Sequence, residues 1–455
     1  GESIVFFDDA GFSERDWRSL QFMCDSGKRE SVHEAGFFGM GSRSFFHITD
    51  VLQILSHTKL SSLDPDDILG TGFFGEQIEF TADSWSEKHP SEAAPFMGLF
   101  GCDMKSDFPG TLIRASLRTP ERAAKSSFMP HAFDLTRAER VFKEFEEAMT
   151  NGEVILFLTS VSIVELWRWE DGAASPGLLA RTQLGVSSGH ALPKKMSPPR
   201  EVRAWLERFK VFPELEKALL GGSDAPPAIL DVVDMETEFT SKGTKSARRW
   251  LRIGSFAKEQ SSLKLGIRCS CVPMVTLALP VGAPLQGCVF ALLPVPLTTG
   301  LPVHVNSSFR LHDNRRAMWR AGNLEGEHQL WAEWNEEILK VMVPVVYAQA
   351  LHWLASHPSI AGDYGHSCWP QDGVVEKEFL TILDPLVARL SEMEVLPAAD
   401  GKLVRPPDAV YFPSPTEALR ACRQQLLQLC IQAGFKAVDP ADHVVALLHS
   451  RKVLE

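Results

Sequence analysis

The stretch that most constrains this chain is residues 34–50, Glu-Ala-Gly-Phe-Phe-Gly-Met-Gly-Ser-Arg-Ser-Phe-Phe-His-Ile-Thr-Asp. Gly36, Gly39 and Gly41 fall within six residues, and an apolar segment follows. Glycine lets backbone N–H groups turn toward a ligand with no Cβ in the way. A helix beginning at about Gly41 would add free N–H groups and a positive dipole end that favour an anion. We read the stretch as a phosphate cradle; taken alone, a glycine run is more often a simple turn. Two better-known phosphate motifs do not apply. The dinucleotide fingerprint has the opposite glycine spacing and follows a strand, whereas Lys28-Arg29-Glu30 precedes this run. The P-loop needs Ser or Thr after Gly-Lys, and Gly27-Lys28 is followed by Arg29.

Two flanking motifs give the run its meaning. Upstream, Ile4-Val5-Phe6-Phe7 reads as a buried strand leading into Asp8-Asp9-Ala10-Gly11-Phe12. Downstream, Pro109-Gly110-Thr111 reads as a turn entering a strand through Arg118. The order is strand-Asp-x-Gly, then Gly-x-x-Gly-x-Gly, then Gly-Thr-strand. It resembles the GHKL ATPases, the group of gyrase B, heat-shock chaperones, histidine kinases and MutL. Within that group the phrasing of residues 8–65 resembles the sacsin family and its repeated Sacsin/Nov region. Residues 287–320, 334–347 and 387–413 resemble later blocks of the same family, and residues 171–270 are the weak part of the likeness.

The resemblance implies an α+β fold with a Bergerat-type mixed sheet that binds ATP. It implies roles residue by residue. Asp9 would accept a hydrogen bond from the adenine amino group, with the Thr111 hydroxyl as a second donor. The plainer reading of Asp8-Asp9 is a cap on the turn before Ser13. Asp8 stands where many relatives carry Asn. Gly11 would let the backbone pass under the purine, and Gly36, Gly39 and Gly41 would shape the phosphate loop. Lys28 would meet a phosphate oxygen or lie solvated on the lid, residues 12–35. Ser42 replaces the Phe usual in relatives, and Arg43 reads equally as phosphate contact or surface. His47, on an apolar segment, reads as a core histidine. Arg315 and Arg316 stand where a cis arginine finger would reach a γ-phosphate; a basic pair at a helix start is also ordinary solvated surface.

In the GHKL group the water-activating Glu and the Mg2+-binding Asn lie on a helix before the first motif. No such Glu or Asn can be named in residues 1–455, so weak hydrolysis of ATP, or none, is expected, and Mg2+ binding is doubtful. The implied function is an ATP/ADP-binding chaperone-like module acting on client proteins or with co-chaperones. The alternative is a nucleotide-free scaffold that keeps the GHKL fold.

Composition sets the outer limits. The 455 residues carry a net charge of −12, which argues against a nucleic-acid footprint over the whole chain. The eight cysteines include no Cys-x-x-Cys pair, which suggests a reducing compartment, a cytoplasmic setting and no structural zinc. No signal peptide is visible, and the run 341–362, broken by Pro344 and Pro358, reads as a buried, kinked helix rather than a membrane span.

Three regions are expected: a nucleotide-binding domain at 1–125, incomplete at its N-terminal edge; a middle α/β region at 126–358; and a small C-terminal α/β region at 359–455. Locally, Ser13-x-x-Asp16 and Thr136-x-x-Glu139 read as capping boxes opening helices. Residues 154–158 and 162–169 read as a hairpin, 171–200 as an exposed loop, and 201–220 as one amphipathic helix.

Overall fold

The computed structural model describes residues 2–21, 42–68, 70, 75, 77–82, 84–127, 129–150, 153–173, 175–186, 196–197, 199–209, 212–221, 228–240, 243–282, 285–361, 365–411 and 417–453. The chain is α+β and divides into two compact units, Gly1–Phe145 and Glu146–Glu455.

The first unit is built on five strands: β1 (Ser3–Asp8), β2 (Leu52–His57), β3 (Lys59–Leu63), β4 (Gln77–Glu79) and β5 (Phe108–Ser116). Among the described residues their order is β1-β5-β2-β3-β4, and every pairing is antiparallel; the parallel pair expected of a mixed sheet is not among them. Side chains alternate across the sheet, so each face acquires its own core. Leu55, Leu60 and Leu112 pack with Phe80, Phe96 and Met104 on one face. Leu52, Ile54, Leu63 and Ala115 pack with Trp17 and Phe46 on the other.

Trp17 comes from the helix Glu14–Gln21. That helix opens as its sequence predicts: the Ser13 N–H donates to Asp16 Oδ2 at 2.9 Å, and the Asp16 N–H donates to Ser13 Oγ at 3.3 Å. Each residue satisfies an amide the helix leaves without a partner. The helix Leu135–Thr150 differs. Its cap is Asp134, whose Oδ1 accepts from the Arg137 N–H at 2.9 Å, so Thr136 lies inside the first turn.

The second unit holds a nine-stranded mixed sheet: β6 (Ile163–Arg168), β7 (Gly177–Val186), β8 (Met196–Ser197), β9 (Ala228–Phe239), β10 (Thr244–Phe256), β11 (Met274–Val281), β12 (Cys288–Ala291), β13 (Leu293–Thr298) and β14 (His304–Ser307). The pairs β12–β14 and β8–β9 are parallel. Three expectations change here. Residues 153–155 form a 3-10 turn rather than a strand, and the hairpin is β6–β7, with β7 inside the segment read as loop. The single helix expected at 201–220 is two, Pro199–Leu206 and Phe212–Gly221.

The long helical run Gly326–Ser356 contributes Trp334, Ile338, Val343, Tyr347 and Leu351 to a core shared with β9–β11, β14 and residues of 383–448. Residues Ile338–Met342 form a π-helical turn just ahead of Pro344. Proline has no N–H to return to residue 340, and the wider turn takes up the mismatch. The run is long and apolar enough to cross a membrane by composition, but 61% of its most apolar window is buried inside this unit.

Candidate functional site

The described part of the site lies where the C-terminal end of β1 meets the start of β5. Register opposes Asp8 to Thr111. The chain then turns through Asp9, Ala10 and Gly11 toward the helix. Asp8 makes the turn: its Oδ1 accepts from the Ala10 N–H at 2.8 Å. Asn and Asp close such a turn by the same bond, which accounts for either residue at position 8. With Asp8 occupied, Asp9 does not cap this turn. It is exposed, and its carboxylate has no hydrogen-bond or ion-pair partner among the described residues.

Thr111 is 2% exposed and reaches the same turn from β5. Its hydroxyl lies 2.8 Å from the Ala10 carbonyl and 3.0 Å from Ser56 Oγ. Having one proton, it donates to the carbonyl. Ser56 Oγ in turn accepts from the Phe12 N–H at 2.9 Å and lies 2.8 Å from the Gly110 carbonyl, to which it donates. Two hydroxyls, one from β5 and one from β2, therefore fasten both sides of the Asp9 turn. The expected partner of Thr111 was the Asp9 carboxylate; the partner is the backbone one residue on.

Gly110, just before Thr111, is required by the close approach of β1. A Cβ there would stand 2.6 Å from the Asp8 carbonyl oxygen and 2.8 Å from the Phe7 ring. Gly11 is required by a neighbour that sequence reasoning missed. A Cβ on Gly11 would stand 2.1 Å from His57 Nε2. His57 sits at a bulge in the β2–β5 pairing with φ of 52°, and its Nδ1 lies 3.1 Å from Asp107 Oδ1. Ser56, His57 and Asp107 carry no sequence signal as a set, because only the bulge brings them under the turn. Nearby, the half-exposed rings of Phe7 and Phe100 stack with centroids 4.3 Å apart.

Lys28, Gly36, Gly39 and Gly41 lie outside the described residues. The chain resumes at Ser42–His47 as a 3-10 turn rather than an α-helix. His47 is exposed, not part of the core, and its carbonyl accepts from Arg118. Arg315 and Arg316 belong to the second unit. They occupy a turn between the bridged residues Leu311 and Met318, not a helix start. Both are exposed, and Arg315 Nη2 donates to the Ala291 carbonyl at 3.2 Å.

Residues 1–181 match the family model of the Sacsin domain, which takes in the whole first unit and extends into β7. The chain is 28% identical to human sacsin over 446 residues, covering 90% of this chain and 9% of that protein. Both comparisons support the sacsin family. The chain spans about a tenth of the length of that curated relative.

Proposed function

We propose that the chain is a nucleotide-binding module of the sacsin type, with a chaperone-related role in which adenine nucleotide controls the conformation of the protein. The observation that carries this reading is the Thr111–Ala10 hydrogen bond, which joins the first and third motifs around the Asp9 turn. The chemistry of the donor set fits a purine. A solvent-facing carboxylate free of described partners can accept from an exocyclic amine, and a fixed turn holds it in place. Gly36, Gly39, Gly41 and Lys28 would face the phosphates, and Mg2+ would accompany ATP.

Calorimetric titration of the 455-residue chain with ATP, ADP and GTP tests the reading. Adenine nucleotides should bind at least about tenfold more tightly than GTP, because the guanine O6 acceptor would face the Asp9 carboxylate. Absence of binding by all three would defeat it in favour of a nucleotide-free scaffold.

A further inference from the structure

The helical run Gly326–Ser356 forms one wall of an open groove of about 490 Å³ in the second unit. Gln329, Glu333, Glu336, Glu337 and Lys340 line it, at the spacing of one helix stripe. The opposing walls come from the helix Gln260–Arg268, through Leu265, and from the loop ahead of the run, through Leu324. With Ala332 and Val341 these two give the groove an apolar lining that stays partly open to water. The π-helical turn Ile338–Met342 widens the run where Lys340 and Val341 reach the groove.

The three carboxylates of the stripe are not equivalent. Glu336 is neutralised, with its oxygens 3.1 Å from Arg320 Nη1 and 2.9 Å from Lys340 Nζ. Glu333 accepts from the Gln329 amide at 3.0 Å, and Glu337 from the hydroxyls of Ser262 and Ser261 at 2.5 and 3.2 Å. Neither has a basic partner among the described residues. The two stand four apart on the helix, a spacing at which like charges repel. Two uncompensated anions beside an apolar lining call for a ligand that is both cationic and apolar.

We propose that the groove binds an extended peptide segment of a partner protein in which two arginines flank an apolar residue. Side chains four apart on a helix have Cβ atoms about 5–6 Å apart, and alternate side chains of an extended chain recur on one face every 6.6 Å or so, about the same interval. Arginines two apart therefore reach both Glu333 and Glu337, and each carboxylate can take a guanidinium through two bonds. The residue between them is directed to the opposite side of the strand and takes the apolar lining at Leu265 and Leu324. The stripe from Gln329 to Lys340 is about 16 Å long, room for about five extended residues. The proposal is independent of the nucleotide reading.

The probe is a fluorescein-labelled synthetic peptide, Gly-Arg-Leu-Arg-Leu-Gly, titrated with the full 455-residue chain and followed by anisotropy. It should bind with a Kd below about 100 μM, and at least about tenfold more tightly than Gly-Gln-Leu-Gln-Leu-Gly. Adjacent arginines point to opposite sides of an extended chain, so Gly-Arg-Arg-Leu-Leu-Gly should bind about threefold or more weakly than the probe. Glu333→Gln/Glu337→Gln keeps the acceptors for Gln329 and the two serines and should weaken the probe about tenfold or more. Glu392→Gln/Glu394→Gln removes the same charge from exposed positions outside the groove and should bind within about twofold of wild type. If the first double variant does not fold, Glu333→Gln alone carries the comparison, with a loss of about threefold. Equal weakening by the two double variants would reduce the binding to net charge and overturn the proposal. So would a wild type that does not bind the probe, or one that binds the glutamine peptide or the adjacent-arginine peptide equally well. Displacement of the probe by spermine at concentrations as low as those of unlabelled peptide would make this a polyamine site and overturn it too.

Discussion

Gly11 and His57 fit each other so closely that a side chain at position 11 would force the imidazole to move: its first carbon would lie 2.1 Å from His57 Nε2. The glycine of the Asp-x-Gly motif thus answers to a ring packed beside the turn, in addition to any ligand. Gly11→Ala should destabilise the first unit by about 1–2 kcal/mol, the lower part of the range for overpacking, because a half-exposed imidazole can swing away once its bond to Asp107 is given up. The double variant Gly11→Ala/His57→Ala should recover most of that loss in urea unfolding. A double variant that is no better than Gly11→Ala would place the constraint elsewhere.

Thr111→Val keeps the shape of the side chain and removes the donor. It leaves the Ala10 carbonyl without its hydroxyl partner and Ser56 Oγ beside a methyl group. The expected cost is about 1–3 kcal/mol of stability, the penalty for a buried polar group left unpaired. Thr111→Ser retains the hydroxyl and should cost less than half as much. Equal melting temperatures for wild type and Thr111→Val would show that the hydroxyl does not hold the turn.

Much of this site can be traced to particular residues in the sequence. The strand into Asp8-Asp9, the Ser13–Asp16 capping box and the burial of Trp17 are local signals, and the structure keeps each of them, although of Ile4–Phe7 only Ile4 is buried; Pro109-Gly110-Thr111, read as a turn, lies inside β5. What escaped was set by tertiary pairing. The hydrophobic pattern of 154–158 suits a strand, but its residues Ile155, Leu156 and Phe157 pack under β9, β10, β11 and β12 without joining the sheet. Residues 177–186 sit within a stretch rich in Gly, Ser, Ala and Pro, and they pair because β9 offers a partner. Asp134 displaced Thr136 as a cap because the helix begins two residues earlier than a Thr136 cap would place it. Ser56 reaches the site through its register opposite Thr111, and His57 through a strand irregularity that no spacing rule marks.

In the second unit, Asn335 is fully buried and serves three backbone groups. Its Oδ1 accepts from the Arg310 N–H at 2.8 Å, and its Nδ2 donates to the carbonyls of Arg310 and Trp319, each at 2.8 Å. Asn335→Leu should lower stability by about 3 kcal/mol or more, since three backbone groups would then lack partners. The measurement is the urea midpoint of the second unit. A shift of less than about 1 kcal/mol would mean that water replaces the amide, against its burial.

Acid should loosen the same unit at Asp372. Arg451 donates to both oxygens, at 2.7 and 2.9 Å, and this bonding holds the carboxyl below its ordinary range while partial burial works the other way. A depressed carboxyl stabilises the fold above its unfolded pKa of about 4, and that contribution disappears as pH falls through the lower folded value. The pair is partly open to solvent, so the contribution at neutral pH is about 1 kcal/mol or less. Asp372→Asn should lower the melting temperature at pH 7, and the difference from wild type should shrink as pH falls below about 4. A constant difference across that range would show that the charge is not involved.

The Asp9 carboxylate carries the central claim, and Asp9→Asn tests it with little change in shape. Asp9 is exposed and lacks described partners, so the variant should melt within about 0.5 kcal/mol of wild type. Its calorimetric affinity for ADP should nonetheless fall by about tenfold or more, because the amide presents a donor as well as an acceptor to the purine edge. Equal ADP affinity in a well-folded Asp9→Asn protein would contradict the account.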